Sequence, residues 1–190
     1  FAAALDVADD RGGLRGLVHC AGAGRRMRIL DKEGKAGSVE DFEFVIKLNL
    51  VGSFHALSLG AERIARQEPV DGERGAIVMT GSVTGLQGNK DLLDYSLTKG
   101  GIHAYARSLG THLAPRGIRV NVVAPGPVWT PLNPADKDAD KTAKFGADTV
   151  MKRPAQPEEI APAYVFLASP QMSSFITGEI LPIIGGYSGG

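Results

Sequence analysis

Apolar residues follow two patterns along this chain, short continuous runs and longer stripes at helical spacing. Four apolar runs bounded by polar turns predict strands, because a strand buried on both faces shows no alternation. They cover residues 16–20, 76–80, 118–123 and 178–183. Segments of helical character occupy residues 1–8, 38–66, 95–113 and the stretch from 157 onward. Strands that alternate with helices predict a parallel, multilayered α/β domain.

The ends of the predicted helices carry recognisable signals. Ser38 is a typical N-cap for the long helix, and Asp41 places an acidic group in its first turn. Pro115 and Gly117 end the helix before the third strand, and Pro157 opens the next helix at a first-turn position. The apolar positions of the long helix recur at helical spacing, at Phe42, Val45, Ile46, Leu50, Phe54 and Leu57.

An irregular segment over residues 124–156 separates the third strand from the last long helix. It is rich in Pro, Asp and Lys and shows no strong periodicity. A segment of this length is typical of a lid or a binding loop. No internal repeat or low-complexity linker divides the chain, so we predict a single domain over residues 1–190 that includes this loop.

Composition narrows the range of functions. The chain has 190 residues, enough for one domain with a core, and 43% of them are hydrophobic. Its 21 basic and 21 acidic side chains balance, which gives no electrostatic reason to expect nucleic acid as a partner. The single cysteine, Cys20, fits a reducing compartment, and we expect it to be buried at the end of a strand. With no leader and no apolar run near the roughly 18 residues that span a bilayer, we expect a cytoplasmic protein without membrane contact.

Tyr95 and Lys99 are the strongest candidates for chemistry. They lie four residues apart in a predicted helix, so both side chains project from the same face. An ammonium group beneath a phenol favours the ionised phenol and lowers its pKa toward neutrality. Ser82 follows a predicted strand, at the edge where open parallel sheets bind ligands. The alternative is an ordinary amphipathic helix whose lysine reaches solvent.

Four motifs in order resemble those of the short-chain dehydrogenase/reductase family. They are Cys-Ala-Gly at 20–22, Asn-Leu-Val-Gly at 49–52, Ser82 with Tyr95 and Lys99, and the segment 125–130. The resemblance covers essentially the whole chain. It implies a Rossmann-type parallel sheet with helices on both faces, and NAD or NADP as cofactor for the interconversion of an alcohol and a carbonyl.

The resemblance also implies roles for individual residues. Tyr95 would be the general acid/base, Lys99 would lower its pKa and hold the nicotinamide ribose, and Ser82 would bind the substrate oxygen. A hydroxyl and a phenol are the preorganised donors that a developing oxyanion needs. Asn49, the fourth catalytic candidate, would hold a water that links Lys99 to solvent, and its alternative is an Asn bonded locally within its helix.

The implied binding contacts extend beyond these four side chains. The cofactor contacts are Ala21, Gly22, Asn49, Tyr95, Lys99, Pro125, Gly126, Val128 and Thr130. The substrate contacts are Ser82, Tyr95, Trp129 and Leu132. No metal takes part in these assignments.

The two halves of the chain resemble different branches of the family. Up to about residue 83 the chain is similar to type II 3-hydroxyacyl-CoA dehydrogenases, in particular over residues 72–78. From residue 81 onward it is similar to the glucose/ribitol dehydrogenase-like reductases, in particular over 92–96 and 128–134. We therefore hypothesise a composite sequence joined near residues 76–83.

The glycine-rich turn that wraps the cofactor pyrophosphate in this family is missing from the sequence. Gly22 and Gly24 follow a strand, but Met27 occupies the third glycine position and no helix start follows. Aligned by motif, the chain begins before the fourth strand of the family, so we expect an N-terminally truncated fold with an exposed apolar sheet edge. Either the biological polypeptide extends upstream or the cofactor cradle is incomplete. His19 stands where the family usually has an Asn that ties neighbouring strands together.

These observations predict an NAD(P)-dependent oxidoreductase that acts on a small carbonyl compound, a polyol or a sugar. The reductase-like segment 124–156 directs that choice of substrate. Oxidation of a 3-hydroxyacyl-CoA is one alternative. The other is a non-catalytic scaffold of the same fold, in which the long helix and the Tyr95 helix serve as oligomer faces. A homo-oligomer, either a dimer or a tetramer, is expected from the family.

Overall fold

The centre of the fold is a four-stranded parallel sheet. The computed structural model describes residues 1–25, 27–131 and 144–187. The strands are β1 (Gly16–His19), β2 (Gly75–Thr80), β3 (Ile118–Pro125) and β4 (Ile180–Ile183). They lie in the order β1-β2-β3-β4, and each neighbouring pair is parallel. The predicted parallel α/β architecture is confirmed.

The helices of the described residues lie before and between the strands, as the apolar stripes predict. They are α1 (Ala2–Asp10), α2 (Val39–Ile46), α3 (Gly52–Ala65), α4 (Thr84–Gln87), α5 (Leu93–Leu113), α6 (Pro157–Ala168) and α7 (Pro170–Ser173). A 3₁₀ turn, Ala114–Arg116, follows α5. Each parallel connection therefore runs through at least one helix, as a crossover between parallel strands requires.

Separate apolar clusters cover the two faces of the sheet. Ile77 and Met79 of β2 pack with Leu57 of α3 on one face. Val78 lies between them in sequence and packs with Leu167 of α6 on the opposite face. Successive strand residues point to opposite faces, so this arrangement buries β2 on both sides. Full burial of each such side chain contributes about 1.5–3 kcal/mol to stability.

The long predicted helix is present, but its middle is wound differently from an α-helix. Ser38 caps its start, where the Oγ accepts a hydrogen bond from the Asp41 N–H at 3.1 Å. Between α2 and α3, Lys47–Val51 forms a π-helical turn. Such turns are frequent at functional sites. The spacing of apolar residues did not predict this turn, because the turn adds one residue without interrupting the helix.

The strand β1 lies at the edge of the described sheet and is less buried than its apolar sequence predicts. Val18 is 49% exposed and Cys20 is exposed. The prediction of a buried strand that ends in a buried cysteine is therefore wrong for these two side chains. The physical reason is that α6 packs over β2 and β3, which leaves this face of β1 uncovered within the described residues. β1 thus forms an edge of the described sheet, and Val18 is the apolar side chain that it leaves exposed.

One helical stretch of the described chain, Val39–Ala65, has the length and the apolar composition that a membrane-spanning helix needs. The expectation that no stretch meets this test is wrong. The same stretch packs on the sheet through Leu57 and Ile64, which are buried. Glu40 and Asp41 also stand in its first turn. These features are those of a helix in an α/β core.

The hypothesised join at residues 76–83 falls in β2 and the turn that follows it. Hydrogen bonds pair β2 with β1 on one side and with β3 on the other. The two halves of the sequence therefore share one sheet and one core. The composite origin of the sequence stays a hypothesis.

Candidate active site

The predicted site residues converge at the carboxyl ends of the first three strands. Residues 21–22 follow β1, Ser82 follows β2 and residues 126–130 follow β3. The first turns of α5 bring Tyr95 and Lys99 to the same edge. Ligands bind at this edge in open parallel sheets.

Tyr95 and Lys99 lie together, as their spacing predicts. The Lys99 Nζ lies 5.4 Å from the centroid of the Tyr95 ring. Lys99 is 2% exposed. Its Nζ donates a hydrogen bond to the Thr80 carbonyl at 2.7 Å. The lysine is therefore held inside the fold and does not reach solvent, so the alternative of an ordinary surface lysine is wrong.

The burial of Lys99 changes its proton affinity. Desolvation lowers the pKa of Lys99 from 10.5 to about 8, and the nearby Cys20 thiol opposes this shift. A buried ammonium without a carboxylate partner loses the solvation that favours its charge. Lys99 therefore releases its proton far more readily than a surface lysine does.

The Tyr95 phenol differs from the sequence-based expectation. Burial raises the pKa of Tyr95, and a hydrogen bond with the Ser82 side chain lowers it by a smaller amount. The expected lowering by Lys99 is not what the structure shows, because desolvation of the phenolate dominates. The phenol is therefore protonated at neutral pH and poised as a proton donor.

Ser82 is buried in the turn between β2 and α4. Its Oγ accepts hydrogen bonds from the Thr84 N–H at 3.2 Å and from the Thr84 hydroxyl at 3.0 Å. A hydroxyl has one proton to donate, and these two contacts do not use it. The Ser82 side chain lies close enough to the Tyr95 phenol to lower its pKa. Ser82 and Tyr95 thus present two hydroxyl groups to one point at the sheet edge.

Asn49 lies in the π-helical turn and is fully buried. Its Nδ2 donates to the Ala23 carbonyl at 2.8 Å and to Thr98 Oγ1 at 3.0 Å, and its Oδ1 accepts from the Ala23 N–H at 3.0 Å. The alternative of purely local bonding is wrong, because these partners lie on the loop after β1 and on α5. The side chain of Asn49 therefore fixes that loop beside Lys99.

His19 takes part in the same network from the end of β1. Its Nε2 lies 2.9 Å from Ser53 Oγ, and Ser53 donates to the Asn49 carbonyl at 2.5 Å. Burial and the positive charge of Lys99 lower the pKa of His19. The histidine therefore ties β1 to α3 in place of the Asn expected at this position.

Two glycines allow the loop after β1 to pass close to the catalytic candidates. A Cβ on Gly22 would lie 3.1 Å from Asn49 Oδ1 and 3.5 Å from Lys99 Nζ, and one on Gly24 would lie 2.8 Å from the Tyr95 ring. Residues 20–25 and 27–38 form no helix. The sequence predicts that Gly22 and Gly24 do not open a helix toward a phosphate, and the described residues agree with this prediction.

The segment after β3 is held in place by backbone hydrogen bonds. Gly126 N–H donates to the Ile183 carbonyl at 2.9 Å, and Trp129 N–H donates to the Ala155 carbonyl at 2.8 Å. The Trp129 ring is 39% exposed and its centroid lies 6.2 Å from that of Phe145. Pro125, Val128 and Thr130 belong to this segment. The predicted substrate contact Leu132 lies outside the described residues.

The site includes four residues that the sequence interpretation missed, namely Thr80, Thr98, His103 and Tyr164. Thr98 and His103 bond to predicted site residues through their side chains, Thr80 bonds to Lys99 through its carbonyl, and Tyr164 bonds to the Thr80 hydroxyl. His103 had a usable signal, because it stands four residues after Lys99 on the same helix face. The other three had none, since their contacts depend on how α5 and α6 dock on the sheet.

Known proteins are similar in sequence to this chain, and the similarity extends over nearly its full length in one of the two relatives below. The family model described as enoyl-(acyl carrier protein) reductase matches residues 2–188. Glucose and ribitol dehydrogenase homolog 2 of Arabidopsis thaliana is 40% identical over 181 residues, 95% of this chain and 58% of that protein. NADPH-dependent aldehyde reductase 1, chloroplastic, of the same plant is 52% identical over 114 residues, 60% of this chain and 40% of that protein.

Two solved structures share the fold. The 3-hydroxyacyl-CoA dehydrogenase type-2 from Mycobacterium avium has a TM-score of 0.89 at 33% identity, and the match covers 99% of this chain and 72% of that one. A short-chain type dehydrogenase/reductase from Mycobacterium ulcerans has a TM-score of 0.83 at 26% identity, over 97% of this chain and 64% of that one. Both branches suggested by the sequence thus occur among the similar proteins.

The match over residues 2–188 and the identity over 95% of the chain define the family. The chain spans between 40% and 58% of the length of the two curated relatives. The chain belongs to the short-chain dehydrogenase/reductase family of oxidoreductases.

Proposed function

We propose that this protein is an NAD(P)-dependent oxidoreductase that interconverts an alcohol and a carbonyl on a small carbonyl compound, a polyol or a sugar. One observation carries the proposal, the convergence of Ser82, Tyr95 and Lys99 at the ligand-binding edge of the sheet. The Lys99 Nζ lies 5.4 Å from the Tyr95 ring centroid, and the phenol interacts with the Ser82 side chain. This arrangement supplies a proton donor, a second hydroxyl donor and a nearby amine.

In the direction of carbonyl reduction, the chain's own residues handle the substrate oxygen. The Ser82 hydroxyl donates a hydrogen bond to the carbonyl oxygen, and the Tyr95 phenol transfers its proton as negative charge develops there. Burial raises the pKa of Tyr95, so the phenol is protonated at neutral pH and ready for this transfer. The Lys99 ammonium, whose Nζ lies 5.4 Å from the centroid of the Tyr95 ring, would stabilise the phenolate that remains.

The residues at the sheet edge fit the nicotinamide end of NAD(P). Gly22 and Gly24 keep the loop after β1 free of side chains beside Lys99 and Tyr95. The cofactor would supply or accept the hydride at this place. Lys99 and Asn49, the backbone at 21–22, and Pro125, Gly126, Val128 and Thr130 after β3 would hold it.

The names of the relatives direct the proposed substrate class. Sequence relatives are a glucose and ribitol dehydrogenase homolog and an aldehyde reductase. In this proposal the ring of Trp129, which is exposed and lies beside Phe145, would provide an apolar contact for the substrate. Oxidation of a 3-hydroxyacyl-CoA is the second candidate, and the similarity to the 3-hydroxyacyl-CoA dehydrogenase type-2 structure supports it.

A further part of the proposal concerns assembly. The helices α2 and α3 and the π-helical turn between them leave a row of large apolar side chains exposed, namely Phe44, Leu48, Val51 and Phe54. We propose that this row packs against a second copy in a dimer or tetramer. In light scattering, Phe54→Glu should lower the molar mass of the assembly. If the wild type itself has the molar mass of a monomer, the row of apolar side chains has a different role.

Cofactor binding tests the enzyme against a non-catalytic scaffold of the same fold. We expect NADPH or NADH at a concentration 100 times its Kd to stabilise the chain by about 2.7 kcal/mol, which raises the Tm by several degrees. Lys99→Met should weaken this effect, whereas Lys47→Met, on the exposed face of the π-helical turn, should not. If neither cofactor shifts the Tm of the wild type, the scaffold explains the molecule better.

A further inference from the structure

His103 lies under the turn that carries Ser82. It stands on α5 one helical turn after Lys99 and is buried. Its Nε2 lies 3.4 Å from the backbone nitrogen of Ser82 and accepts the Ser82 N–H. The reaction proposed above makes no use of this histidine.

The backbone of the turn explains why this contact matters. Gly81 N–H donates to the Val123 carbonyl at 2.7 Å, and Val83 N–H donates to the Pro125 carbonyl at 2.9 Å. Both bonds continue the pairing of β2 with β3. The Ser82 N–H, between them, points away from β3, where no strand carbonyl meets it, and His103 provides its acceptor. A buried N–H without an acceptor is costly, so the histidine completes the turn.

Two glycines show how closely the ring packs against this turn. A Cβ on Gly81 would lie 2.3 Å from Nε2 of His103, and a Cβ on Gly85 would lie 2.7 Å from Cε1. Neither glycine has a positive φ, so the absence of a side chain serves space and not backbone conformation. The turn and the ring are therefore fitted to each other.

The contact also defines the protonation state of the ring. Nε2 can accept a hydrogen bond only when it carries no proton, so accepting the Ser82 N–H places the proton of the neutral ring on Nδ1, a buried atom without a hydrogen-bond partner among the described residues. Burial, Lys99 and Arg107 lower the pKa of His103, and the Gly85 backbone opposes this by a smaller amount. The environment therefore favours the neutral ring that the geometry requires.

We propose that neutral His103 is a positioning residue that accepts the Ser82 N–H and thereby fixes the Ser82 hydroxyl against the Tyr95 phenol. The proposal rests on the proposed function for its effect on turnover, but its structural part stands independently. Catalytic groups must be held within about 0.5 Å of their working geometry. If the turn can shift at Ser82, the Ser82 hydroxyl loses its position relative to the Tyr95 phenol, while the fold and the cofactor contacts remain.

Nitrogen-15 NMR of the histidine rings tests the contact without any turnover. The chain has four histidines, and the spectrum of His103→Gln identifies the signals of residue 103. We expect an unprotonated Nε2 and a protonated Nδ1 for His103 at pH 7. A protonated Nε2, in either the neutral or the charged ring, would overturn the proposal even if the protein proved to be an enzyme.

Turnover tests the positioning role. We expect His103→Leu, which has no acceptor, to lower kcat about 10- to 100-fold with less than a twofold change in the KM for the cofactor. His103→Gln offers an amide oxygen in place of Nε2 and should recover most of kcat. His112→Leu, at an exposed position near the end of the same helix, is the matched control.

The outcomes separate this proposal from the proposed function. If the wild type turns over no substrate, the proposed function fails and the NMR result alone decides whether His103 holds Ser82. A folded His103→Leu protein with the kcat of the wild type would refute the positioning role. Equal losses in the Leu and Gln variants, with both folded by circular dichroism, would refute it as well.

Discussion

The ammonium of Lys99 donates a hydrogen bond to the carbonyl of Thr80 at 2.7 Å and so ties α5 to the last residue of β2. The Thr80 side chain is itself paired, since its Oγ1 lies 2.8 Å from the Tyr164 hydroxyl of α6. Because Thr80 is paired with Val123 of β3, the acceptor carbonyl has a fixed position. The location of the amine beneath Tyr95 is therefore set by the docking of a helix on the sheet and not by a loop.

Tyr95→Phe removes the proposed proton donor and keeps the aromatic ring. We expect kcat for carbonyl reduction to fall by about 10²–10⁴-fold, because general acid catalysis contributes roughly that much. Cofactor affinity, measured by quenching of cofactor fluorescence, should change little. Tyr105→Phe alters a second tyrosine of α5 that packs against the core and serves as the control. A Tyr95→Phe enzyme with the wild-type rate would refute the assignment.

The lowered pKa of Lys99 makes the stability of the fold depend on pH. Between pH 8 and the usual lysine value near 10, the unfolded chain binds the lysine proton and the folded chain does not. The free energy of unfolding should therefore rise with pH in this window. Across this pH window, the free energy of unfolding of the wild type should rise relative to that of Lys99→Met by at most roughly 3 kcal/mol.

Urea unfolding at pH 7, 8, 9 and 10 measures this effect. Above pH 10 the raised pKa of Tyr95 acts in the opposite direction, because the folded phenol keeps a proton that the unfolded one loses. Lys47→Met, at an exposed lysine, should run parallel to the wild type. Parallel curves for the wild type and Lys99→Met would show that Lys99 is not desolvated.

Asn49→Ala removes the three hydrogen bonds that hold the loop after β1 against α5. We expect the free energy of unfolding to fall by about 2–4 kcal/mol, because the N–H and carbonyl of Ala23 lose their partner. Cofactor affinity should fall as well, since the loop loses its support beside Lys99. Asn89→Ala in an exposed turn is the control for both urea unfolding and cofactor titration. A change in neither quantity would contradict the bridging role of Asn49.

Arg119 forms a buried ion pair at the opposite end of β3 from the site. Its guanidinium bonds to Glu73 at 2.8 Å and to the Leu167 carbonyl and Ser173 hydroxyl at 2.8 and 2.9 Å. Arg119→Met leaves the Glu73 carboxylate without its partner, so the free energy of unfolding should fall by about 3–5 kcal/mol. The double variant with Glu73→Gln should recover part of this loss.

The same Arg119 variants distinguish stability from site geometry. Under conditions where the protein is folded, cofactor affinity should match that of the wild type, because the pair lies far along β3 from Ser82 and Lys99. Urea unfolding and cofactor titration on the same samples make the comparison. A loss of affinity without a loss of stability would show that the pair affects the site directly.

Sequence reasoning predicted those parts of the molecule that depend on local rules. Apolar runs marked all four strands, and Ser38 and Pro157 marked helix starts. The i, i+4 spacing of Tyr95 and Lys99 predicted their shared helix face, and strand ends predicted the approach of Ser82. Each of these follows from a few neighbouring residues.

The features that the sequence did not predict depend on how helices, strands and turns pack against one another. The exposure of Val18 and Cys20 depends on the reach of α6 across the sheet. The rise in the pKa of Tyr95 depends on how deeply α5 is buried. The role of His103 depends on the path of the turn after β2. A pattern along the chain does not contain this information, because each feature arises between elements distant in sequence.

The π-helical turn at Lys47–Val51 sets the rotational phase of α3 relative to α2. Because an α-helix advances about 100° with each residue, one residue inserted into the α-helical part between Gly52 and Leu57 would rotate the rest of α3 by that angle. Leu57 and Ile64 would then leave the sheet that they now cover. Insertions between the turn and Ile64 should therefore be excluded, because they would uncover this face of the sheet.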